Sequence, residues 1–280
     1  MPYLQEAVLN RPMVAPSIYG DFPHFVTNLS LVIEREIKIE LTKFIQQYAT
    51  FLGAQEKYFR IDLYFDQDYV YVIEVNVEVA DGWGVALNLL RAAGCVPIQG
   101  VTFPAVFPTF PDDPRETEFR LAVKEFALLN QNSSVEVFPE RVFDPLDNKI
   151  HLARFSDVWG GQRVKIPRLY WSGNATWEDI PQNVYLKFAD KFCAEAKKSR
   201  YSAKPRSELG RAKQMRQLFR EGRAIAQERV SPSLTVCGKQ VQAVVMSSGL
   251  QVVTGYIQVA PANRTIINDK GTEKGVLIFL

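Results

Sequence analysis

Two short strand-forming segments joined by a polar turn constrain the fold of this chain more than any other feature. Residues 58–65 and 69–77 are rich in aromatic and β-branched side chains, and a short polar break at 66–68 separates them. Runs of this kind on either side of a polar break predict a β-hairpin. Because side chains alternate between the two faces of a strand, one face of this hairpin is polar and the other is apolar.

The polar face of the predicted hairpin has the side-chain chemistry of a metal and phosphate site. If the turn centres on Gln67, Arg60 lies opposite Glu74 and Asp62 lies opposite Val72. The polar face then holds Arg60, Asp62, Glu74 and Asn76, and the apolar face holds Ile61, Leu63, Phe65, Ile73 and Val75. Carboxylate and amide oxygens suit Mg²⁺, and an arginine suits an anion such as phosphate. A solvated sheet face with an Arg60–Glu74 ion pair is the alternative, and composition alone favours it.

Composition excludes several classes of function. The chain has 280 residues, 47% hydrophobic and 23% charged, which is an ordinary globular profile with enough length for a large core. Its only histidines are His24 and His151, so a histidine-based catalytic triad or zinc site is disfavoured. The three cysteines, Cys95, Cys193 and Cys237, are far apart, which indicates a reducing compartment and no cysteine metal motif. No signal-peptide pattern or membrane-length apolar run is present, so we expect a cytoplasmic chain without a membrane partner.

A proline-rich stretch in the first half of the chain is the best candidate for a linker. It covers residues 96–114. A helix is expected before it, over 84–93, and an amphipathic helix after it, over 116–130. A strand is expected around residues 135–138.

Basic residues are concentrated in one later segment. The net charge of +2 does not indicate nucleic-acid binding by itself, but residues 187–229 are rich in lysine and arginine. This segment supports an alternative class of function, a protein that binds RNA or another nucleic acid through a basic surface. A phosphate-covering loop and an ordinary solvated helix surface are the other interpretations. Steeply salt-dependent RNA binding would favour the nucleic-acid protein, and Mg-ATP binding would favour an enzyme.

The order and spacing of the hairpin residues resemble the metal-binding end of the ATP-grasp superfamily. In that family an Asp on one strand, then a Glu and an Asn on the next, hold Mg²⁺ against ATP phosphates, and Asp62, Glu74 and Asn76 match this pattern. A helix expected over residues 37–52 precedes the Asp strand, as in the family. The resemblance implies that Arg60 stabilises charge on the transferred phosphoryl group.

Later segments resemble the nucleotide-binding parts of the same superfamily. The segment 147–167 resembles the passage that supplies one phosphate-binding lysine, here Lys149, and the strand that ends in Lys187 resembles the frame of the second. Another short strand resembles the interdomain strand that meets adenine. The resemblance assigns that contact to Glu228 and to the backbone near Val230.

The order of these segments differs from the family, and the resemblance therefore implies a circular permutation. The hairpin comes first here and the lysine segments follow, which is tolerable because domain termini usually lie at the surface. Strands expected over 241–246, 252–259 and 265–268 would join the sheet of the hairpin, and the apolar segment 275–280 would be tied to the same domain. The expected phosphate-covering loop, 194–211, is basic rather than glycine-rich, and we interpret it as a lid that orders on phosphate.

These patterns together predict an α+β, ATP-grasp-like fold with two lobes around a nucleotide cleft. The expected division is 1–106 for the metal-binding hairpin half and 107–182 for a linker and the segment before the nucleotide site. Residues 183–280 would bind phosphate and adenine and complete the sheet with residues 55–80.

The resemblance also implies a reaction and its cofactors. It implies a ligase that uses ATP and Mg²⁺ to activate a carboxylate, of a small molecule or a peptide, as an acylphosphate for attack by an amine or a thiol. A catalytically inactive ATP-grasp-like binding protein is the remaining alternative. The sequence specifies neither the acceptor nor an oligomeric state.

Overall fold

This computed structural model describes most of the chain, in twelve segments, as an α+β fold. The described residues are 3–6, 25–66, 68–77, 82–93, 106–108, 136–138, 145–190, 211–230, 233–236, 238–248, 250–261 and 272–280. The helix expected over 116–130, the strand expected over 265–268 and most of the basic loop 194–211 lie outside them. The domain boundaries proposed above also stay predictions.

Helices and strands follow one another in mixed order along the described residues. The helices are α1 (Arg35–Leu52), α2 (Trp83–Ala92), α3 (Lys149–Ser156) and α4 (Arg211–Arg220). The strands of the first half are β1 (Tyr3–Glu6), β2 (Phe25–Ile33), β3 (Tyr58–Phe65), β4 (Val70–Val77), β5 (Val106–Pro108) and β6 (Glu136–Phe138). The strands of the second half are β7 (Val164–Lys165), β8 (Leu169–Tyr170), β9 (Val184–Phe188), β10 (Ala224–Glu228), β11 (Thr235–Val236), β12 (Lys239–Ser248), β13 (Gln251–Pro261) and β14 (Glu273–Phe279). In the part of the chain that is described, no helix has the length and apolar character needed to cross a bilayer.

A large mixed sheet joins strands from the two ends of the sequence. Its nine strands run in the order β1-β2-β14-β13-β12-β3-β4-β7, with β11 also paired to β12. The hairpin strand β3 pairs antiparallel with β12, and the C-terminal strand β14 lies between β13 and β2. The predictions that 241–246 and 252–259 share a sheet with the hairpin, and that 275–280 is tied to it, are therefore confirmed.

The helix α1 covers one face of this sheet, because its apolar residues recur at helical spacing. Its buried residues are Ile37, Leu41, Phe44, Ile45, Tyr48 and Ala49. They pack on the inward residues of β3, β4, β12 and β13 in one core. A fully buried side chain of this size contributes about 1.5–3 kcal/mol, so this face supplies much of the stability. The helix ends at Leu52, as the sequence predicted, and the Gly53 after it caps the helix with a left-handed φ of 65°.

The helix α2 lies on the opposite face of the sheet. Trp83, at its start, is fully buried and meets the ring of Tyr58 edge-on, with centroids 6.2 Å apart. The helix expected over 84–93 is thus confirmed. The polar face of the hairpin is on this same side of the sheet.

A second, three-stranded sheet in the order β8-β10-β9 packs beside the first. One face forms a separate apolar cluster with α4, built from Leu186, Phe188, Met215, Phe219 and neighbouring side chains. On its other face, Leu169 and Ile225 join the main core. Because alternate residues of these strands point to opposite faces, the second sheet contributes side chains to two apolar cores.

The hairpin is confirmed, but its predicted register is wrong. Arg60 lies opposite Asn76 and Asp62 lies opposite Glu74, and the register shifts between Asp62 and Leu63. The shift leaves Ile73 as an extra residue, a β-bulge that changes the alternation of β4. Arg60, Asp62, Glu74 and Asn76 still share one face.

The bulge also moves one apolar side chain away from the predicted core face. Ile73 packs against a small cluster of Tyr64 and Ala260, the Tyr64 cluster, which Tyr71 and Val230 also contact, whereas Val72 belongs to the core beneath α1. The tight turn before it is stabilised by Asp66, whose Oδ1 accepts from the backbone N–H groups of Asp68 and Tyr69 at 2.9 and 2.7 Å.

The close packing of β12, β13 and β14 predicts that a methyl group at Gly255 will destabilise the fold. A Cβ there would meet the Val244 carbonyl and the Leu277 side chain well inside van der Waals contact, and a backbone carbonyl cannot easily move. Gly255→Ala should therefore lower the free energy of unfolding by about 1–3 kcal/mol in urea titrations. Gly160→Ala is the matched control, because nothing lies within 4 Å of a Cβ at Gly160. Equal stability of the two variants would contradict this packing.

Candidate functional site

A narrow cleft lies where the second sheet meets β4 and α3. Its lining combines an acid, two lysines and an amide with apolar side chains: Ile73, Glu74, Val75, Lys149, Leu152, Leu169, Lys187, Ile225 and Gln227. A predicted metal ligand and both predicted phosphate-binding lysines therefore meet in one place, although residues 74 and 187 are far apart in sequence.

The backbone carbonyl of the bulged residue Ile73 is the contact point of the second sheet. Lys187 Nζ donates to this oxygen at 3.5 Å, and Gln227 Nε2 donates to it at 3.0 Å. Lys187 is paired with Ile225 on the neighbouring strand, and Tyr185 with Gln227, so strand alternation directs these side chains to one face. That face is the one that meets the first sheet.

The tripeptide Asp147–Lys149 links both sheets to the cleft. Asp147 Oδ1 accepts from the backbone N–H of Val77 at 3.0 Å, at the end of β4. The backbone N–H of Lys149 donates to the carbonyl of Ala189 at 2.9 Å, just after β9. Asn148 caps the N-terminus of α3, since its side chain accepts from the N–H of Ile150. The tripeptide thereby fixes Lys149 at the first turn of a helix, with its Nζ 3.5 Å from Glu74 Oε1.

Asp147 is buried and changes the environment of a buried tyrosine. It is 2% exposed. Burial raises the pKa of the Tyr48 hydroxyl, and the nearby charge of Asp147 raises it further. Tyr48 therefore stays neutral under ordinary conditions.

Arg60 and Asp62 form a two-pronged ion pair on the polar face of β3. Arg60 Nε lies 3.1 Å from Asp62 Oδ1, and Arg60 Nη2 lies 3.2 Å from Oδ2. The two side chains are 14% and 11% exposed, so water screens this pair only in part. Asn76 Nδ2 donates to the carbonyl of Arg60 at 3.4 Å, which directs the amide oxygen away from that carbonyl.

Charged side chains of both signs lie around the cleft. Among the described residues, the cations Arg60, Lys149 and Lys187 are close to the acids Asp62 and Glu74. Burial, followed by a hydrogen bond with Asp66, raises the pKa of the nearby Tyr71 hydroxyl to about 12, so this phenol adds no negative charge at neutral pH. A site with this balance suits an anion, or an anion together with a metal.

The donor set on the polar face fits a hard divalent cation. Asp62 and Glu74 are directly opposite each other on paired strands, and Asn76 supplies an amide oxygen on the same face. The described residues contain no cluster of three or more His, Cys, Asp or Glu side chains that could hold a metal alone. Mg²⁺ ordinarily takes few carboxylates and completes its shell with water and substrate phosphates, so these donors are sufficient for it.

The side chain of Glu228, which the resemblance assigns to adenine, does not line the cleft, and the contact predicted for the backbone near Val230 stays a prediction. Glu228 is paired with Val184, whose side chain lies in the α4 cluster on the other face of the small sheet, and Glu228 is exposed. Its backbone N–H donates to the carbonyl of Arg168 at 2.9 Å. Val230 packs against the Tyr64 cluster of the first sheet.

Gln227 is the cleft residue that sequence reasoning missed. Its side chain is 3% exposed and reaches the Ile73 carbonyl. Strand alternation could have identified it, because a strand whose Ile225 is buried in the main core also directs Gln227 to that side.

The enclosed space in the cleft is small. It measures about 10 Å³, enough for roughly one water molecule. A nucleotide therefore needs the outer rim of the cleft or a wider separation of the two sheets.

No family model matches this chain, and no curated protein matches it. Assignment of a function therefore depends on the geometry of the site and on the motif resemblance.

The link between Asp147 and β4 predicts a large effect of removing its carboxylate. Asp147→Ala leaves the buried N–H of Val77 without this acceptor, which should lower the free energy of unfolding by about 1–3 kcal/mol. Asp147→Asn retains an oxygen acceptor and should lose less. Urea titrations of both variants measure the difference. If Asp147→Asn lowered the free energy of unfolding as much as Asp147→Ala, the hydrogen bond to Val77 would not be the cause of the destabilisation.

Proposed function

We propose that this chain is an ATP- and Mg²⁺-dependent ligase of the ATP-grasp type. The observation that carries the proposal is the meeting of Glu74, Lys149 and Lys187 in one cleft between two sheets, beside the Asp62–Asn76 face. These residues come from three separate parts of the sequence. A site for a metal-bound polyphosphate requires an acid and several cations in one place. An ordinary solvated sheet face has no such requirement.

Each residue has a role that follows from its charge and its position. Lys149 and Lys187 would bind ATP phosphates through their ammonium groups, and Arg60 would stabilise negative charge on the transferred phosphoryl group. Asp62, Glu74 and Asn76 would hold Mg²⁺, which supplies charge neutralisation at the phosphates when it is bound. Gln227 would orient Lys187, since both donate to one carbonyl.

The proposed reaction has two steps. A substrate carboxylate oxygen attacks the γ-phosphorus of ATP, which gives an acylphosphate and ADP. An amine or a thiol then attacks the acyl carbon and releases inorganic phosphate and a proton. Catalysis of phosphoryl transfer depends mainly on positioning and electrostatic stabilisation, so a cleft without a histidine among its lining residues is adequate.

The strand order supports the permuted form of this proposal. The hairpin precedes the lysine segments in sequence, yet β3 pairs with β12 from the last part of the chain. In this proposal, the sheet that joins the hairpin to the C-terminal strands would be one lobe of the nucleotide site, and the β8-β10-β9 sheet would be the other.

Among the described residues of the basic segment, two cations already have acidic partners, which bears on the nucleic-acid alternative. Arg216, on α4, is bonded to Glu178, and Arg223 lies 3.4 Å from Glu221. Cations that are already paired offer less free charge to a phosphate backbone.

ATP binding tests this proposal directly, because it does not depend on the unidentified acceptor. Calorimetry should show ATP binding that Mg²⁺ strengthens, and Lys187→Met should weaken it about tenfold or more, the loss expected for one charged hydrogen bond. Lys43→Met is the matched control, since Lys43 is exposed on α1, over the other face of the sheet. Absence of ATP binding to the wild type, or equal affinities of the two variants, would rule the proposal out.

A further inference from the structure

Both carboxylates of the candidate metal site already have a cation of the protein beside them. Asp62 is bound through both of its oxygens by Arg60, at 3.1 and 3.2 Å. Glu74 has Lys149 at 3.5 Å from its Oε1. The cations come from different elements, Arg60 from β3 and Lys149 from the start of α3, so each acid has a counter-charge of its own.

These pairs lie where a metal would have to bind. Asp62 and Glu74 are direct cross-strand partners, and such partners have Cβ atoms about 4.5–5.5 Å apart. One cation could therefore contact both carboxylates. Both ion pairs are mostly buried, with side-chain exposures of 14% and 11% for Arg60–Asp62 and of 14% and 20% for Lys149–Glu74. Poor screening makes their competition with a metal stronger than it would be at an open surface.

The two ion pairs decide how a metal and a polyphosphate bind. A divalent cation alone would have to displace Arg60 from Asp62 and Lys149 from Glu74, and it would bring no anion for either of them. A polyphosphate alone would bring its charge next to both carboxylates. If both ligands bound together, Asp62 and Glu74 would hold the metal in place of Arg60 and Lys149, and these two cations would be available to the phosphates.

We propose that Arg60 and Lys149 are exchangeable counter-cations that make metal and polyphosphate binding mutually dependent. In the unliganded site they exclude free divalent cations from Asp62 and Glu74. This inference rests on the proposed function, since it concerns the same metal and phosphate positions. By thermodynamic linkage, the factor by which phosphate strengthens metal binding equals the factor by which metal strengthens phosphate binding.

The test measures the binding of Mn²⁺ alone, without nucleotide. Binding is monitored by electron paramagnetic resonance, as the loss of the signal of free Mn²⁺. The wild type should bind weakly. Arg60→Gln and Lys149→Met should each bind Mn²⁺ about tenfold more tightly, which is within the usual range of coupling between sites. Arg60→Lys, which keeps the charge but loses the two-pronged contact, should fall between Arg60→Gln and the wild type.

Lys165→Met is the matched control for the loss of a positive charge nearby. Lys165 lies on β7, the strand next to the hairpin, where it is paired with Tyr71 of β4. Its Nζ donates to the Gly161 carbonyl at 2.7 Å. Its Mn²⁺ affinity should therefore match the wild type. Circular dichroism of every protein confirms that the affinities refer to folded chains, and Arg60→Lys serves if Arg60→Gln does not fold.

The possible results separate this inference from the proposed function. Tighter Mn²⁺ binding in Arg60→Gln and Lys149→Met, with an unchanged control, supports the exchange. Mn²⁺ affinities equal to or weaker than the wild type in these variants overturn it, even if the wild type binds Mg-ATP. Tighter Mn²⁺ binding in a chain that does not bind ATP would keep Arg60 and Lys149 as counter-cations of the metal site, but it would remove both the coupling to polyphosphate and the proposed ligase. An equal gain in Lys165→Met would also overturn the exchange, because it would show only a general charge effect.

Discussion

The β-bulge at Ile73 is the local constraint on which the rest of the site depends. One extra residue in β4 places Glu74, which stays on the polar face, directly opposite Asp62, and it presents the Ile73 carbonyl to the second sheet. Lys187 and Gln227 both donate to that carbonyl. A regular hairpin would pair Asp62 with Val72, as the uninterrupted alternation suggests, and the two acids would no longer be direct neighbours. The irregularity thus sets the spacing of the acids and the docking of the lysine.

The tripeptide Asp147–Lys149 explains how two separate sheets hold one cluster of charges. Asp147 fastens it to the end of β4, and the backbone of Lys149 fastens it to the segment after β9. The Asn148 cap, the Lys149–Ala189 backbone hydrogen bond and the Asp147–Val77 hydrogen bond order the main chain at Lys149, so only its side chain loses conformational entropy when it binds an anion. The charged groups of the cleft are therefore pre-positioned, which lowers the cost of binding an anion there.

Much of the fold was predictable because it follows from local periodicity. The hairpin strands, the helix α1 that ends at Leu52 and the C-terminal strand β14 each have a pattern that the structure confirms. The bulge was not predictable, because a single extra residue leaves the apolar and polar alternation of β4 nearly intact on either side. Glu228 was assigned from a motif, whereas the pairing of β10 with β9 decides that Gln227 faces the cleft. The basic loop 194–211 lies largely outside the described residues, and its role as a lid stays a prediction.

A crystal structure of the chain with Mg²⁺ and a non-hydrolysable ATP analogue tests the central claim most directly. The account predicts a triphosphate between the two sheets, within contact of Lys149 and Lys187, and a metal bound to Asp62, Glu74 and Asn76. It also predicts that the Arg60–Asp62 and Lys149–Glu74 pairs are broken in that complex. Nucleotide bound elsewhere, or a cleft unchanged at saturating Mg-ATP, would contradict it.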